Sequence, residues 1–282
     1  MSGAQDQSKP FVAIVTGASS GIGEATARRL AKEPNTALVL VARRGERLRD
    51  LAIQLGEERT TWIDVDLLDE DAPKRIEEHV RSRYARLDLL VNNAGAAWRK
   101  PFGEGGYENV KRTMAINFDA QVRLTEALLP LLRASAPSAI VNVASTAARV
   151  TRKGTGAYSA SKAALASWSD ALWMEELPNG VHVGLVLPGF ISTEGFPQAE
   201  LTAKPWTRWA VSTPEQGAEA IFQAGVGRKA ERYVPRGYGL AAAIRVLAPG
   251  LVRRAMGGKT AQAMTTTTAA DVADRAPTQA GT

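Results

Sequence analysis

A tyrosine and a lysine four residues apart are the side chains of this sequence best suited to chemistry. Tyr158 and Lys162 belong to the run YSASK, which opens a predicted helix, so both side chains lie on one helix face. A free tyrosine has a pKa of about 10 and is a poor base at neutral pH. A cation one helical turn away favours the tyrosinate and brings this pKa nearer to the working pH. The pair therefore predicts an acid–base group.

Further polar groups are predicted at the same edge of the fold as this pair. Ser145 ends the predicted strand AIVNVAS, thirteen residues before Tyr158, and the run NNAG at residues 92–95 follows another strand. In an open parallel sheet, ligands bind outside the carboxyl ends of the strands. We therefore expect Ser145, Tyr158 and the NNAG run to contribute to one site.

Residues 11–23 (FVAIVTGASSGIG) combine a buried strand, a glycine-rich turn and the start of a helix. Glycine has no Cβ, so it permits unusual backbone angles and close approach of a ligand to the backbone. A helix that begins near Gly21 directs free N–H groups and its positive dipole end toward a pyrophosphate. Because the glycines follow the first strand and precede a long helix, they predict a dinucleotide site. An ordinary strand–helix turn is the alternative.

The end of the second predicted strand bears on the choice of dinucleotide. Sites for NAD usually place an acid about 20 residues after the glycines, where it binds the ribose 2′-hydroxyl. This strand ends instead in Arg43 and Arg44, whose guanidinium groups suit a 2′-phosphate. The sequence therefore predicts a preference for NADP(H) over NAD(H). The alternative is that both arginines are solvated charges at the start of a helix.

The elements that position these groups alternate between short apolar runs and longer helical patterns. Continuous apolar strands separated by amphipathic helices are typical of βαβ units with a parallel sheet covered on both faces. The fold class predicted is α/β, a single doubly wound Rossmann domain. The predicted strands are 11–16, 37–42, 61–65, 87–91, 139–143 and 181–187, and the predicted helices include 22–33, 46–55, 69–86 and 157–177.

Four segments are predicted along the chain. Residues 1–9 form a flexible polar tail, 10–235 the Rossmann domain, 236–258 a basic amphipathic helical segment, and 259–282 a disordered tail of small polar residues. The third segment carries an apolar face and only positive charges, which is typical of a helix on an anionic membrane surface. Covering the substrate cleft or a subunit interface is the alternative for this segment.

Composition excludes several other classes of protein. The chain has 282 residues, 45% of them hydrophobic, and no cysteine, which excludes disulfides, thiolate nucleophiles and cysteine-based metal sites; no metal is expected. The net charge of +6 comes from one stretch, because residues 232–270 hold six basic residues and no acid. Nucleic-acid binding is therefore not expected. The polar first residues predict no signal peptide, and we expect a cytoplasmic protein, with peripheral membrane association as the variant.

The motifs together resemble those of the short-chain dehydrogenase/reductase family. The matching residues are TGASSGIG at 16–23, NNAG at 92–95, Asn117, Ser145, Tyr158, Lys162, and Pro188 with Gly189. They occur in the family's order and at its spacing over residues 10–235. The resemblance implies an enzyme acting on CH–OH donors with NAD(P)⁺ as acceptor, which interconverts a carbonyl and a secondary alcohol.

The resemblance also implies the role of each matching residue. Tyr158 is the general acid/base, Lys162 holds the nicotinamide ribose and lowers the pKa of Tyr158, and Ser145 binds the substrate oxygen. Asn117 helps to hold a water that relays protons to Lys162. The remaining residues implied to bind the cofactor are Gly17, Ser19, Ser20, Gly21, Ile22, Gly23, Asp64, Val65, Asn93, Ala94, Gly95, Pro188, Ile191 and Thr193.

The resemblance implies that residues 193–214 form a substrate lid, and the aromatic side chains in this stretch suggest a hydrophobic substrate. The aromatic candidates for the substrate pocket are Trp98, Phe102, Phe196, Trp206 and Trp209. Alternatively, the lid aromatics only pack the lid onto the body of the protein. The family commonly pairs through the helices that carry Asn117 and Tyr158, so a homo-oligomer is expected.

Two other functions remain open at this point. One is a catalytically silent NADP-binding sensor or scaffold, which would not need Tyr158 and Ser145 together. The other is a ketoreductase of the polyketide or fatty-acyl type, which differs in substrate rather than in chemistry. Its carrier-protein partner would favour a basic docking patch, and the C-terminal cations offer one.

Overall fold

Seven parallel strands form the central sheet of the computed structural model, which describes residues 9–192 and 211–257. The strands are β1 Phe11–Thr16, β2 Thr36–Ala42, β3 Thr60–Asp64, β4 Leu89–Asn92, β5 Ser138–Val143, β6 Val181–Pro188 and β9 Glu231–Val234. Their order across the sheet is β3-β2-β1-β4-β5-β6-β9. The order reverses between β1 and β4, and at such a reversal a crevice opens at the carboxyl ends of the strands. The predicted doubly wound fold is confirmed.

Helices cover both faces of this sheet, which is why its central strands β1, β2, β4, β5 and β6 are buried along almost their whole length. The helices are α1 Gly21–Leu30, α2 Gly45–Leu55, α3 Ala72–Tyr84, α4 Phe102–Met114, α5 Ala120–Ala134, α6 Gly156–Glu176, α7 Pro214–Gly225, α8 Tyr238–Leu247 and α9 Pro249–Gly257. Leu30 of α1, Leu48 of α2 and Ile221 of α7 pack in one core cluster. Ile76 of α3 and Leu124 of α5 pack in the other.

The seventh strand and a small second sheet are not predicted from the sequence. Strand β9 lies at the edge of the main sheet, where Arg232 pairs with Val186. Its residues Glu231 and Arg232 break the apolar pattern, because an edge strand needs no continuous apolar run. The second sheet pairs β7 (Phe190–Ile191) with β8 (Val211–Ser212), and two residues are too few for a periodic signal.

The last two helices of the described residues are α8, which ends at Leu247, and α9, which begins at Pro249. Leu240, Val246, Leu247 and Leu251 are exposed large apolar residues of these helices. Tyr238, at the start of α8, lies so close to Gly189 that a Cβ there would collide with the tyrosine ring. The first turn of α8 is thus held against the end of β6, while the apolar residues farther along face outward. Within residues 9–192 and 211–257, no helix is both long and apolar enough to span a membrane.

Candidate functional site

The glycine-rich turn between β1 and α1 needs glycine for two separate reasons. Gly17 and Gly21 have φ angles of +66° and +59°, a region that side chains with a Cβ rarely adopt. Gly23 instead lies under the turn, where a Cβ would collide with the carbonyl oxygen of Gly17. The turn is therefore wound tightly over the start of α1, with Ser20 at its N-cap in an extended conformation. Backbone N–H groups at such a helix start can hold an anion.

Thr16, at the end of β1, joins this turn to the NNAG loop after β4. Its hydroxyl accepts hydrogen bonds from the backbone N–H groups of Asn93 at 2.9 Å and Ala94 at 3.0 Å, and donates to the Val91 carbonyl. The Asn93 carboxamide Nδ2 donates in return to the Thr16 carbonyl at 2.9 Å. The two loops, predicted from separate motifs, therefore form one continuous wall at the point where the strand order reverses.

Arg44 lies over the glycine-rich turn. Its Nη2 donates to Ser20 Oγ at 2.6 Å and to Ser19 Oγ at 3.0 Å, and its Nε donates to Ser19 Oγ at 3.1 Å. Arg43 is more exposed and lies 3.6 Å from the Asp66 carboxylate. The structure thus brings Arg44, Ser19 and Ser20 together and leaves Arg43 on the outside.

The end of β3, where the adenine is expected, adjoins the same turn. Val65 is buried, and its N–H donates to the Ala42 carbonyl at 3.1 Å. Asp64 is exposed, and its carboxylate lies beside the backbone of Gly45. Both residues therefore lie beside the carboxyl end of β2, on the side of the crevice where Arg43 and Arg44 are found.

Ser145 and Tyr158 are hydrogen-bonded to each other at the carboxyl end of β5. Ser145 caps the short 3₁₀ turn Thr146–Ala148, accepts from the Ala147 N–H at 3.1 Å, and lies 3.3 Å from the Pro188 carbonyl. Burial of the hydroxyl raises the pKa of Tyr158, whereas the bond with Ser145 and the charges of Arg99 and Arg152 lower it. Burial is the larger effect, so the phenol is held in its protonated form.

Lys162 is buried one turn farther along α6, with 4% of its surface exposed. Its Nζ donates to the Val143 carbonyl at 2.8 Å, and burial lowers its pKa to about 7. The charges of Arg99 and Arg152 lower the pKa of Tyr158. The expected effect of Lys162 on the Tyr158 pKa stays a prediction.

Asn117 is fully buried in a π-helical turn, Ala115–Asp119, between α4 and α5. Its Nδ2 donates to the Ala96 carbonyl at 2.8 Å and to Ser161 Oγ at 3.1 Å, and its Oδ1 accepts from the Ala96 N–H at 2.9 Å. A Cβ on Gly95 would lie 2.6 Å from Asn117 Oδ1 and 3.4 Å from Lys162 Nζ. Asn117 therefore ties the NNAG loop to α6 beside Lys162.

The remaining residues predicted to bind cofactor or substrate differ in burial and in their distance from the site. Pro188 ends β6 and its carbonyl lies 3.3 Å from the Ser145 hydroxyl, whereas Ile191 is buried in β7. Trp98 lies under the guanidinium of Arg112, 4.6 Å from its ring centre, and Phe102 is 75% exposed at the start of α4. The candidates that lie outside the described residues are Thr193, Phe196, Trp206 and Trp209.

Sequence reasoning missed the two arginines that face Tyr158. Arg99 follows the NNAG loop, and Arg152 lies in the turn before α6. Both are in irregular segments, where an arginine is normally a solvated surface charge, so their types alone carry no signal. The one sequence signal that could have identified them is their position, because Arg99 follows the NNAG motif closely and Arg152 precedes YSASK by a few residues.

A family model described as short chain dehydrogenase matches residues 11–203 of the chain. The chain belongs to the short-chain dehydrogenase family. The match includes the glycine-rich turn, the NNAG loop, Asn117, Ser145 and the Tyr158–Lys162 pair, which the structure gathers at one edge of the sheet. The resemblance found in the motifs is thereby confirmed.

Individual relatives agree with this assignment. The chain is 39% identical over 189 residues to 11-beta-hydroxysteroid dehydrogenase 1A of Arabidopsis thaliana, covering 65% of this chain but only 53%, about half, of that relative. It is 33% identical over 219 residues to cis-4-hydroxycyclohexanecarboxylate dehydrogenase of Sinomonas cyclohexanicum, covering 74% and 87% of the two chains. A solved short-chain dehydrogenase from Streptomyces avermitilis superposes with a TM-score of 0.72 at 29% identity, covering 88% of this chain and 98% of its own.

We predict that Gly23→Ala disrupts the glycine-rich turn. The new Cβ would collide with the Gly17 carbonyl, and such overpacking costs about 1–3 kcal/mol of unfolding free energy. Because the turn must shift, the dissociation constant for NADPH should rise at least about tenfold. Thermal unfolding and NADPH fluorescence titration measure the two effects. Gly103→Ala is the matched control, since nothing lies within 4 Å of its Cβ position. Normal NADPH affinity in Gly23→Ala would refute the assignment of this turn.

Proposed function

We propose that this protein is an NADP(H)-dependent oxidoreductase that interconverts a carbonyl group and a secondary alcohol, with Tyr158 as its acid/base. The observation that carries the proposal is the half-buried Tyr158, whose hydroxyl is hydrogen-bonded to Ser145 and which lies one helical turn from the buried Lys162. This group lies at the sheet edge to which the glycine-rich turn and the NNAG loop also belong. A protein that only bound the dinucleotide would have no use for the bond between Ser145 and Tyr158.

The chemistry divides between the cofactor and the chain. When bound, the reduced nicotinamide supplies a hydride to the carbonyl carbon. Tyr158 gives its phenolic proton to the carbonyl oxygen, which makes the alcohol, and regains a proton from solvent. The Ser145 hydroxyl is placed to bind the same oxygen, because it already bonds the phenol. Lys162 and Asn117 orient the wall around Gly95, where the resemblance expects the cofactor's ribose.

The pKa of Tyr158 sets how the rates of reduction and oxidation depend on pH. A general acid must be protonated to act, and a general base must be ionised. Burial raises this pKa, so the phenol remains protonated below its raised pKa and is ready to reduce a carbonyl. Oxidation of the alcohol needs the phenolate and should become faster as the pH rises toward that pKa.

The preference for NADP(H) is supported by the hydrogen bonds from Arg44 to the hydroxyls of Ser19 and Ser20 and to the Ser19 carbonyl. They hold the guanidinium over the glycine-rich turn, where a 2′-phosphate would accept bidentate hydrogen bonds from it. Arg43 is exposed beside it and adds positive charge. The residues present therefore fit the phosphorylated dinucleotide.

The substrate we propose has a largely apolar body. Trp98, Phe102 and Val110 supply aromatic and aliphatic surface near the NNAG loop and α4. The two relatives described above are named for hydroxylated ring compounds, a hydroxysteroid and a hydroxycyclohexanecarboxylate. These names support a hydroxylated or carbonyl compound of similar bulk as the substrate of this chain.

We also propose that the protein contacts anionic membranes through α8 and α9. Leu247 is 84% exposed and Leu251 64%, and Arg245, Arg253 and Arg254 stand on the same two helices. Exposed leucines beside arginines suit the boundary between acyl chains and anionic headgroups. We also propose a homo-oligomer formed through the helices α4, α5 and α6. These helices are different from α8 and α9, which we propose to contact the membrane.

We predict that Tyr158→Phe abolishes turnover. The variant lacks the transferable proton, and loss of general acid catalysis typically costs about 10²- to 10⁴-fold in rate. The kcat for reduction of an accepted ketone should fall by that factor, while NADPH binding changes by less than about threefold. Tyr107→Phe, at an exposed position, is the control. Near-normal turnover in Tyr158→Phe would show that the acid/base is another group.

We predict that Arg44→Gln weakens the discrimination between NADPH and NADH. A hydrogen bond to a charged group contributes about 1.5–3 kcal/mol, so the ratio of kcat/KM for the two cofactors should fall about 10- to 100-fold. The loss should come from NADPH, with NADH little changed. Arg49→Gln, on the exposed face of α2, controls for the removal of positive charge. An unchanged ratio in Arg44→Gln would contradict the NADP(H) assignment.

We predict that vesicles of phosphatidylcholine and phosphatidylglycerol bind the protein in a flotation assay and that pure phosphatidylcholine vesicles do not. Truncation after Arg236 should abolish binding. The double variant Leu247→Ser with Leu251→Ser should weaken it while leaving Tyr238 in place against Gly189. High salt should release the protein, because the arginines act through screened charges. Equal, salt-insensitive absence of binding in all variants would refute membrane contact.

A further inference from the structure

Gln121 is a fully buried amide on α5 that belongs to none of the motifs discussed above. The residue is 0% exposed, and its Nε2 donates a hydrogen bond to the Ala94 carbonyl at 2.8 Å. Ala94 is part of the NNAG loop, and its own N–H donates to the Thr16 hydroxyl at 3.0 Å. Both polar groups of the Ala94 backbone are therefore held, one from the end of β1 and the other from α5.

Gln121 and Asn117 form a pair of amides about one helical turn apart. Asn117 binds both polar groups of the Ala96 backbone, at 2.8 and 2.9 Å, while Gln121 binds the carbonyl of Ala94. Four residues of helix rise about 6 Å, a distance that two residues of loop can span. The two amides thus hold the NNAG loop at two points, one on each side of Gly95.

Gly95, between these two points, is the place where the loop comes close to α6. A Cβ on Gly95 would lie 2.6 Å from Asn117 Oδ1 and 3.4 Å from Lys162 Nζ, so the loop backbone passes beside the ammonium group. Gly95 and Lys162 are both among the residues expected to bind the dinucleotide. Because Ala94 is bonded to Gly95, a shift of Ala94 would displace the wall against which the cofactor is expected to lie.

Gln121 is itself fixed from behind by a chain of buried hydrogen bonds. The Thr125 hydroxyl donates to the Gln121 carbonyl at 2.8 Å and accepts from Asn92 Nδ2 at 3.0 Å. Asn92 also donates to Asn142 Oδ1 at 2.9 Å, and Asn142 Nδ2 donates to Ser169 Oγ of α6 at 2.8 Å. All five residues are at most 1% exposed. Buried polar networks of this kind are rigid, so the place from which Gln121 reaches the loop is fixed.

We propose that Gln121 is a positioning residue that holds the NNAG loop in the conformation that binds NADP(H). The inference rests on the proposed function and adds to it a residue outside the recognised motifs. Within residues 9–192 and 211–257, no hydrogen bond joins the Gln121 side chain to Ser145 or Tyr158. Its effect should therefore fall on the affinity for the cofactor and leave the proton transfer unchanged.

Gln121→Met tests this role most directly, because methionine is unbranched and adaptable like glutamine but lacks the donor. Gln121 Oε1 has no hydrogen-bond partner among the residues that the structure describes, so the change removes the side-chain bond to Ala94 and no other. Gln121→Asn keeps an amide on a side chain one carbon shorter and should lose the same bond. Ser169→Ala is the matched control, since Ser169 lies in the same buried chain and bonds Asn142 and Leu165 rather than the loop.

Four quantities are measured for the wild type and for each variant. They are the dissociation constant of NADPH by fluorescence titration, kcat on an accepted ketone at saturating NADPH, the thermal unfolding temperature with and without NADPH, and hydrogen exchange of the NNAG loop. The unfolding temperature establishes that a variant is folded. Gln121→Asn decides the question if Gln121→Met does not fold.

We expect Gln121→Met and Gln121→Asn to raise the dissociation constant of NADPH about 5- to 100-fold, the range for a buried carbonyl that loses its donor. The kcat at saturating NADPH should change by less than about threefold, because the lost interaction acts on binding. Amides of the NNAG loop should exchange faster in both variants. Ser169→Ala should unfold at a lower temperature, while its NADPH affinity and its loop exchange stay as in the wild type.

Other outcomes would overturn the inference in distinguishable ways. If both Gln121 variants bind NADPH as tightly as the wild type, Gln121 does not position the loop, although the proposed function stands. If Ser169→Ala weakens NADPH binding equally, Gln121 acts only through the stability of the whole fold. If kcat falls as far as the affinity, Gln121 acts on the reacting groups. If the wild type binds neither NADPH nor NADH, the proposed function itself is wrong, and the inference falls with it.

Discussion

The opposition between burial and charge at the Tyr158 hydroxyl is the interaction on which the rest of the site depends. Burial penalises the phenolate, while Ser145 and two arginines favour it. A phenol with burial alone would be an inert acid, and one surrounded by cations in water would gain little from them. The protein combines burial with nearby positive charge. A small change in the surroundings of the Tyr158 hydroxyl therefore changes its pKa, and with it the ease of proton transfer.

The sheet holds this hydroxyl in place through buried polar ties at the carboxyl ends of its strands. Thr16 joins the glycine-rich turn to the NNAG loop, Asn117 joins that loop to α6, and Lys162 joins α6 to the end of β5. Satisfied polar networks of this kind are rigid, because an unpaired buried group is costly. Three loops that are distant in sequence thereby behave as one wall.

The sequence predicts the fold and most of this wall, because both depend on local patterns. Continuous apolar strands specify a buried parallel sheet, and the glycines at 17, 21 and 23 reflect backbone demands that no other residue meets as well. It does not predict the edge strand β9, whose charged residues break the pattern, or the π-helical turn at Asn117. The sequence also does not predict that Arg99 and Arg152 influence Tyr158. Whether an arginine in a loop is solvated or buried depends on the residues that pack over it, and residue type alone does not show this.

A pH titration of the Tyr158 hydroxyl by NMR tests this balance most directly. The protein is labelled at the ζ-carbon of its five tyrosines, and the Tyr158 resonance is identified by its loss in the phenylalanine variant. The account predicts that Tyr158 ionises above the ordinary tyrosine pKa of about 10 and that removal of the Arg152 charge raises its pKa further. Ionisation of Tyr158 at or below the ordinary value, or indifference to Arg152, would contradict it.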